Sequence, residues 1–269
     1  LHRLIRRQRQ MCIRDRSGIV VVDNASSDGT PDVVASRFPE IRLERRPVNE
    51  GFARANNIGI DLLACDWVLT LNPDARLAPD WVEKLIACAA GRPRAGTLGG
   101  KLLRDTAEPG AAPVIDSLGI EIFRSRRVRD RGMGRTDSGD RRAPERVFGV
   151  CAAAALFRRE MLDDVRVRGE VFPERFFAYY EDADLAWRAW RRGWEAWVVP
   201  GAVGWHRRGG SPVGARFSRF MTHRNRLWLI ARNEPFSETL TALPELIAHE
   251  ALIAARTIRY PYLVKASWA

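Results

Sequence analysis

Residues 18–38 read GIVVVDNASSDGTPDVVASRF, and residues 66–74 read DWVLTLNPD. In the first stretch the β-branched run Ile19–Val22 stops at Asp23-Asn24, as a buried parallel strand does. Ser26-Ser27-Asp28-Gly29-Thr30-Pro31 then supplies loop residues, a helix cap and a proline for a first helical turn. That predicts a helix over Val33–Phe38 and a second strand over Ile41–Arg45. Asn49-Glu50-Gly51 marks a turn, and Phe52–Ala64 has the pattern of a helix. Asp66–Leu71 reads as a strand ending at Asn72-Pro73-Asp74, with a further helix over Pro79–Ala90. Strand and helix alternating through short connections argue for an α/β fold with a doubly wound, mostly parallel sheet flanked by helices. Such sheets bind ligands beyond the carboxyl ends of their strands, where both polar clusters, Asp23–Asp28 and Asn72–Asp74, fall.

Farther along, residues 104–146 are rich in Gly, Pro, Arg and Asp and predict irregular hairpins, with a short strand at Gly119–Phe123. Val147–Phe157 is apolar and small enough to be buried. EDADLAWRAWRRGW (181–194) has acids at its start and basic residues with Gly193 at its end, which predicts a helix. Trp197–Val199 predicts a short strand that stops before Pro200, and the chain from about Arg216 onward has helical character. The division that follows is a leader (1–16), a catalytic domain (17–215, in halves 17–100 and 101–215) and a C-terminal helical extension (216–269).

Composition narrows the class. With 269 residues, 46% hydrophobic and 29% charged, the chain has enough apolar surface for a sizeable core. Its formal charge of +11 would suit a polyanion or a phosphate-bearing ligand, but six arginines crowd into residues 1–16 against one Asp. A general nucleic-acid reading therefore loses force. The cysteines Cys12, Cys65, Cys88 and Cys151 form no CxxC pair and no zinc-like spacing with the histidines, which fits scattered thiols in a reducing compartment. The stretch Leu240–Val264 is broken by Glu245, His249, Glu250, Arg256 and Arg259, so no run reaches the roughly 20 apolar residues of a spanning helix. A soluble or peripheral cytoplasmic protein is expected.

Several side chains could carry chemistry. Asp74 follows a buried strand and a proline, at a fixed place on the sheet rim. Hard cations such as Mg²⁺ or Mn²⁺ accept a carboxylate or two together with phosphate oxygens; the same Asp could equally cap a turn. Glu181, Asp182 and Asp184 put three carboxylates into four residues. Asp184 suits the helix cap, because Leu185, Ala189 and Trp190 then share an apolar face. Asp182 is left just outside the helix, facing Phe176–Tyr180, and a carboxylate beside aromatic walls tends towards a raised pKa, as a general base requires. His206 lies in GWHRRGG (204–210), where metal and phosphate could meet, and Arg207, Arg208, Arg224 and Arg226 could balance a diphosphate. Each of these also has a plain structural reading, and Trp187, Trp190, Trp194 and Trp197 fit a core better than a ligand platform.

In order along the chain, VVVDNASSDGT (20–30), NEGFARANNIGI (49–60), LTLNPDA (69–75), FFAYYEDADLAWRAWRRGW (176–194), VVPGAVGWHRRGGS (198–211) and RNRLWLIARN (224–233) resemble glycosyltransferase family 2, which has the GT-A fold. The wording of Asn-Pro-Asp and Tyr-Glu-Asp-x-Asp-Leu is most similar to its rhamnosyltransferase-like branch. The resemblance implies a metal-dependent hexosyl transfer in cell-surface polysaccharide synthesis, with inversion at the anomeric carbon. It implies Asp182 as catalytic base, and Asp74 and His206 as ligands of Mg²⁺ or Mn²⁺. Donor and acceptor contacts would come from Asp23, Asn24, Asp28, Arg54, Asn72, Glu181 and Arg207. The implied partners are a nucleoside-diphosphate sugar and a glycan or polyprenyl-linked acceptor, with peripheral contact at the inner face of the plasma membrane and no nucleic acid. The family opens with a strand and helix ahead of VVVDN that residues 1–16 do not match, so a foreign leader and a fragment lacking its first strand are expected. Two alternatives stay open: a sugar-nucleotide nucleotidyltransferase, which has no need of Glu181-Asp182, and a basic module for nucleic acid or membrane surfaces.

Overall fold

Strand β1 (Val20–Asp23) pairs in parallel with β2 (Arg42–Arg45) across helix α1 (Thr30–Arg37), from Val20 opposite Arg42 to Asp23 opposite Arg45. This is the computed structural model of the chain, and it describes residues 18–105, 110, 112–140, 143–208 and 214–257. The leader expected over 1–16 and the Gly209-Gly210 pair lie outside the described residues. α1 starts where Gly29 takes a left-handed φ of 78° and Pro31 occupies the first turn, and it buries Pro31 and Val34.

Helix α2 (Gly51–Asp61) leads to β3 (Trp67–Leu71), a short β4 (Ala75–Leu77), α3 (Trp81–Ala89) and the long β5 (Ala95–Arg104). Residues 104–146, expected as irregular hairpins, form four short strands: β6 (Ile115–Ser117), β7 (Ile120–Ile122), β8 (Val128–Asp130) and β9 (Glu145–Val147). β10 (Ala154–Arg158), α4 (Arg159–Asp164), a 3₁₀ turn (Glu174–Phe176), α5 (Glu181–Arg191) and β11 (Glu195–His206) follow. The chain then runs through α6 (Ala215–Asn233), α7 (Phe236–Thr241) and α8 (Leu243–Thr257).

The central sheet has the order β3-β10-β5-β11-β4, with β6 beside β5 and β9 beside β11. Its long strands β3, β5 and β11 share one direction, and the antiparallel members are β10 and the short β4, β6 and β9. Alternation along the strands shows how both faces are covered. On β10, Ala154 and Leu156 join the core under α3 with Trp81, Leu85 and Leu98. Ala155 and Phe157 join the opposite core, with Ala53 and Ile60 of α2, Met161 of α4 and Leu185 of α5. Successive side chains of a strand point to opposite faces, so helices flank the sheet on both sides.

Two expectations need correction. β11 does not stop at Pro200 but runs twelve residues to His206, because its register against β5 shifts between Val199 and Val203 and the bulge accommodates the proline. At that bulge β5 offers Gly100, whose place a β-carbon could not share with the Ala202 carbonyl oxygen 2.0 Å away. The tryptophans also divide: Trp187 and Trp194 are buried, whereas Trp190 is 57% exposed and lies outside the core. A third cluster, Phe176, Tyr180, Ala183, Trp187 and Leu229, joins α6 to α5. Among the described residues no helix is long and apolar enough to cross a membrane.

Candidate active site

The site forms at the carboxyl ends of the strands, and β-pairing brings its first half together. Asn72 leaves β3 with its amide donating to Ala153 O (2.8 Å), and a tight turn follows, in which Ala75 N–H donates to Asn72 O (3.0 Å). β4 then pairs antiparallel with the end of β11, setting Ala75 opposite His206. The amide of Arg207 donates to Asp74 O (2.9 Å), and His206 Nε2 lies 3.2 Å from Asp74 Oδ1. The other ring nitrogen, Nδ1, is 2.9 Å from Oδ2 of Asp116, a fully buried carboxylate on β6. Burial opposes a charge on His206, but Asp116 and Asp74 outweigh it and raise its pKa above the ordinary value.

The second half rests on a strained loop. Phe177, Tyr179 and Tyr180 hold φ near 65°, 72° and 72°, a left-handed conformation that aromatic residues adopt only when their surroundings impose it. The surroundings here are explicit. Asn225 of α6 is fully buried, and its Nδ2 donates to Phe176 O, Ala178 O and Tyr179 O at 2.9, 2.9 and 2.6 Å. Arg224 Nη2 donates to Phe176 O at 3.0 Å. From the other side Ala53 N–H of α2 donates to Phe177 O (3.1 Å), and Val128 N–H donates to Tyr180 Oη (3.1 Å). α2 comes this close because Gly51, at φ 88°, has no β-carbon to meet Phe177 O at 2.6 Å.

This loop delivers α5, which begins at Glu181, so Asp182 lies in its first turn and not outside it. Asp184 does not cap the helix: it is fully buried and binds Arg188 (2.8 Å), Arg232 (3.2 Å) and Asn233 (2.7 Å), fastening α5 to α6. Asp182 accepts from Ala183 N–H (2.8 Å) and Ala152 N–H (3.4 Å). Burial first, and the charge of Asp130 second, push its pKa up to about 6. Glu181 is buried with Oε2 lacking a hydrogen bond among the described residues, and burial together with Asp182 holds its pKa well above the ordinary carboxylate value. The two halves meet at Ala152-Ala153. Asp182 hangs on the amide of Ala152, Asn72 on the carbonyl of Ala153, and Thr70 Oγ1 donates to Ala152 O at 2.8 Å. Asp182 and the turn bearing Asp74 thus share one rim.

The remaining candidates are placed as follows. Asp23, at the end of β1, is buried and accepts from Ser26 N–H (3.3 Å). Asn24 ties β1 to the 49–51 turn, donating to Asn49 Oδ1 (2.9 Å) and accepting from Glu50 N–H (2.8 Å). Asp28 is exposed and closes a turn onto Thr30, whose hydroxyl and amide hold its pKa below the ordinary value. Arg54 is engaged with Glu174 at 2.8 and 2.9 Å, bracing α2 against the 3₁₀ turn. Arg207 is exposed beside Asp74. The other arginines suggested for a diphosphate are committed inside the protein: Arg208 to Asp116 and Asp130, Arg224 to the strained loop, Arg226 to Ser125 O and Glu250. Sequence reading missed Asp116, Asp130 and Asn225. The first two lie in a stretch without a recognisable motif. Asn225 lies in the polar run Thr222–Arg226, which reads as a solvated helix face.

The donor set at Asp74 and His206 is one carboxylate oxygen and one imidazole nitrogen. Among the described residues no three or more of His, Cys, Asp and Glu gather to hold a metal. Two protein ligands fit a hard cation that completes its shell with phosphate oxygens and water.

The sequence profile described as Glycosyl transferase family 2 matches residues 1–166, including the stretch 1–17 outside the described residues. The chain belongs to that family. Over 229 residues it is 29% identical to N-acetylglucosaminyl-diphospho-decaprenol L-rhamnosyltransferase of Mycobacterium tuberculosis, covering 78% of this chain and 73% of the relative. A 76-residue stretch is 38% identical to the succinoglycan biosynthesis protein ExoO of Rhizobium meliloti, 27% of this chain and 22% of that one. GalNAc-T7, solved with UDP, GalNAc and Mn²⁺, superposes with a TM-score of 0.57 at 13% identity; the alignment covers 80% of this chain and spans only 41% of that one. The mannosyltransferase PcManGT from Pyrobaculum calidifontis, solved with GDP-Man and Mn²⁺, gives 0.52 at 19% identity, covering 94% and 71%. These likenesses show the GT-A glycosyltransferase fold.

Proposed function

We propose that this family 2 chain transfers a sugar, with rhamnose the first candidate, from a nucleoside-diphosphate sugar to a hydroxyl of a glycan or polyprenyl-linked acceptor, with inversion at the anomeric carbon. The observation that carries the reading is the shared rim: a carboxylate with a pKa of about 6 hangs on Ala152, and the turn that bears Asp74 of the Asp–His pair starts from Asn72, whose backbone N–H hangs on the adjacent Ala153. Asp182 would take the proton of the acceptor hydroxyl as its oxygen bonds to the anomeric carbon. The bond from that carbon to the diphosphate breaks on the opposite face, and its electrons leave with the nucleoside diphosphate. A base with pKa near 6 is largely ionised at neutral pH yet still basic enough to assist. Asp74 and His206 would hold Mg²⁺ or Mn²⁺, which when bound supplies positive charge for the departing diphosphate. Arg207, exposed beside them, would add a cation on the same side, and Asp23, buried at the end of β1, would meet the base or ribose of the donor.

Support for rhamnose and for a lipid-linked acceptor comes from the mycobacterial relative, whose name states both. Such an acceptor would place the chain peripherally at the cytoplasmic face of a membrane. Transfer from a panel of sugar nucleotides with Mn²⁺ tests the reading. Asp182→Asn is expected to abolish transfer and leave donor binding nearly intact, whereas Asp74→Ala weakens the Mn²⁺-dependent part of donor binding. Equal loss of binding and transfer in Asp182→Asn, or an unchanged Mn²⁺ titration in Asp74→Ala, would overturn the assignments.

A further inference from the structure

A chain of charged side chains leaves the Asp74–His206 pair through Asp116 and Arg208 and ends at Asp130. Asp116 Oδ2 lies 2.9 Å from His206 Nδ1, and Asp116 Oδ1 accepts from Arg208 Nε at 2.5 Å. Arg208 Nη2 donates to Asp130 Oδ2 at 2.5 Å. Asp116 has no solvent exposure and sits on β6 between the buried Ile115 and Ser117. Burying a carboxylate away from water is unfavourable unless its oxygens are bonded. Here each oxygen has a partner, and the two partners are neighbours of the rim. Packing alone gives no reason for a carboxylate at this point of β6, since an apolar residue would fill the space without the desolvation cost.

We propose that Asp116 is a positioning residue for His206. It accepts from Nδ1 and so holds the plane of the imidazole, with Nε2 turned to Asp74, and it holds Arg208 beside the same strand end. The argument is one of donors and acceptors. An ionised carboxylate can only accept, so the nitrogen facing Asp116 carries the proton. A carboxylate on the far nitrogen fixes the ring orientation and leaves Nε2 as the nitrogen facing Asp74, where a bound cation would take the place of any proton on Nε2. The inference rests on the reading of Asp74 and His206 as cation ligands. It also assigns a task to the motif-poor stretch 104–146: β6 and β8 bring Asp116 and Asp130 to the site from outside the βα units.

Two measurements on the full chain test it. In metal-free, ¹⁵N-labelled wild-type protein, the imidazole two-bond ¹H–¹⁵N spectrum reports the tautomer of His206, identified by its loss in His206→Gln. A proton on Nδ1 is expected, whether or not Nε2 carries one as well; a ring protonated at Nε2 alone overturns the proposal without any change at Asp116. Mn²⁺ affinity, read from the free-ion signal in electron paramagnetic resonance, is expected to fall roughly 10–100-fold in Asp116→Asn. Unchanged affinity in a folded Asp116→Asn protein overturns it as well. If the wild type binds no Mn²⁺, the cation reading of Asp74 and His206 falls, while the spectrum still decides what Asp116 does to the ring.

Discussion

Replacing Asp182 by Asn should make the protein more stable at neutral pH while removing the carboxylate proposed as its base. The structure raises the Asp182 pKa from an ordinary 3.8 to about 6, through burial and then through Asp130. Between those values the folded state holds a proton that the unfolded chain has released, so stability falls as pH rises through the window and stays low above it. A shift of about two pKa units at 1.36 kcal/mol each gives roughly 3 kcal/mol of lost stability above about pH 7, an upper figure because the carboxylate is only partly shielded from water. Asn has the same shape, keeps an oxygen for the Ala183 amide and carries no charge, which also relieves Glu181. Urea unfolding of wild type and Asp182→Asn at about pH 4 and about pH 8 reads the difference directly. The two proteins should be nearly matched at the lower pH, with the variant ahead by about 1–3 kcal/mol at the higher one. A variant that is equally or less stable than wild type at both pH values would refute the claim that the site holds Asp182 in an unfavourable ionised state.

Other expectations follow from the same geometry. Transfer by the wild type should decline about tenfold per unit below roughly pH 6 as Asp182 takes up its proton; a pH–rate limb centred near 4 would contradict this. Asn225→Ala removes the buried amide shared by three loop carbonyls and should cost about 2–4 kcal/mol in denaturant unfolding. It should also lower kcat more than donor affinity, because the loop it releases carries Asp182; a loss of stability alone would confine Asn225 to packing. Gly51→Ala meets both a φ of 88° and the Phe177 oxygen, and should destabilise by about 1–3 kcal/mol or more in thermal melting. An unaffected melting temperature would mean that α2 can retreat from the loop.

The periodic part of the fold was legible because its signals are local. Ile19–Val22 before Asp23, Pro31 in a first turn and the apolar run before Asn72 each specify an element without reference to the rest of the chain. Asp74 and Asp182 stood out as candidates for a related reason, since each lies beside an element boundary. What lay beyond sequence was whatever depends on distant pairing. Pro200 reads as a strand terminator, and only the register shift against β5 lets β11 continue to His206. Asp184 reads as a cap, and only the approach of Arg232 and Asn233 from α6 turns it into a buried anchor. Asp116 gives no local signal, because its importance comes from His206, ninety residues away.

The grip of Asn225 on three carbonyls of the 176–179 segment bears on how the enzyme can be dissected. The profile match ends at residue 166, and a cut at 214 would leave every strand of the central sheet in place. Such a truncated protein would still own Asp182, but the left-handed aromatics ahead of it would be free to relax, and the base would drift from the amide of Ala152. On the proposed reading, catalysis in this chain has a late-synthesised requirement: the ribosome must finish α6 before the carboxylate acquires its address.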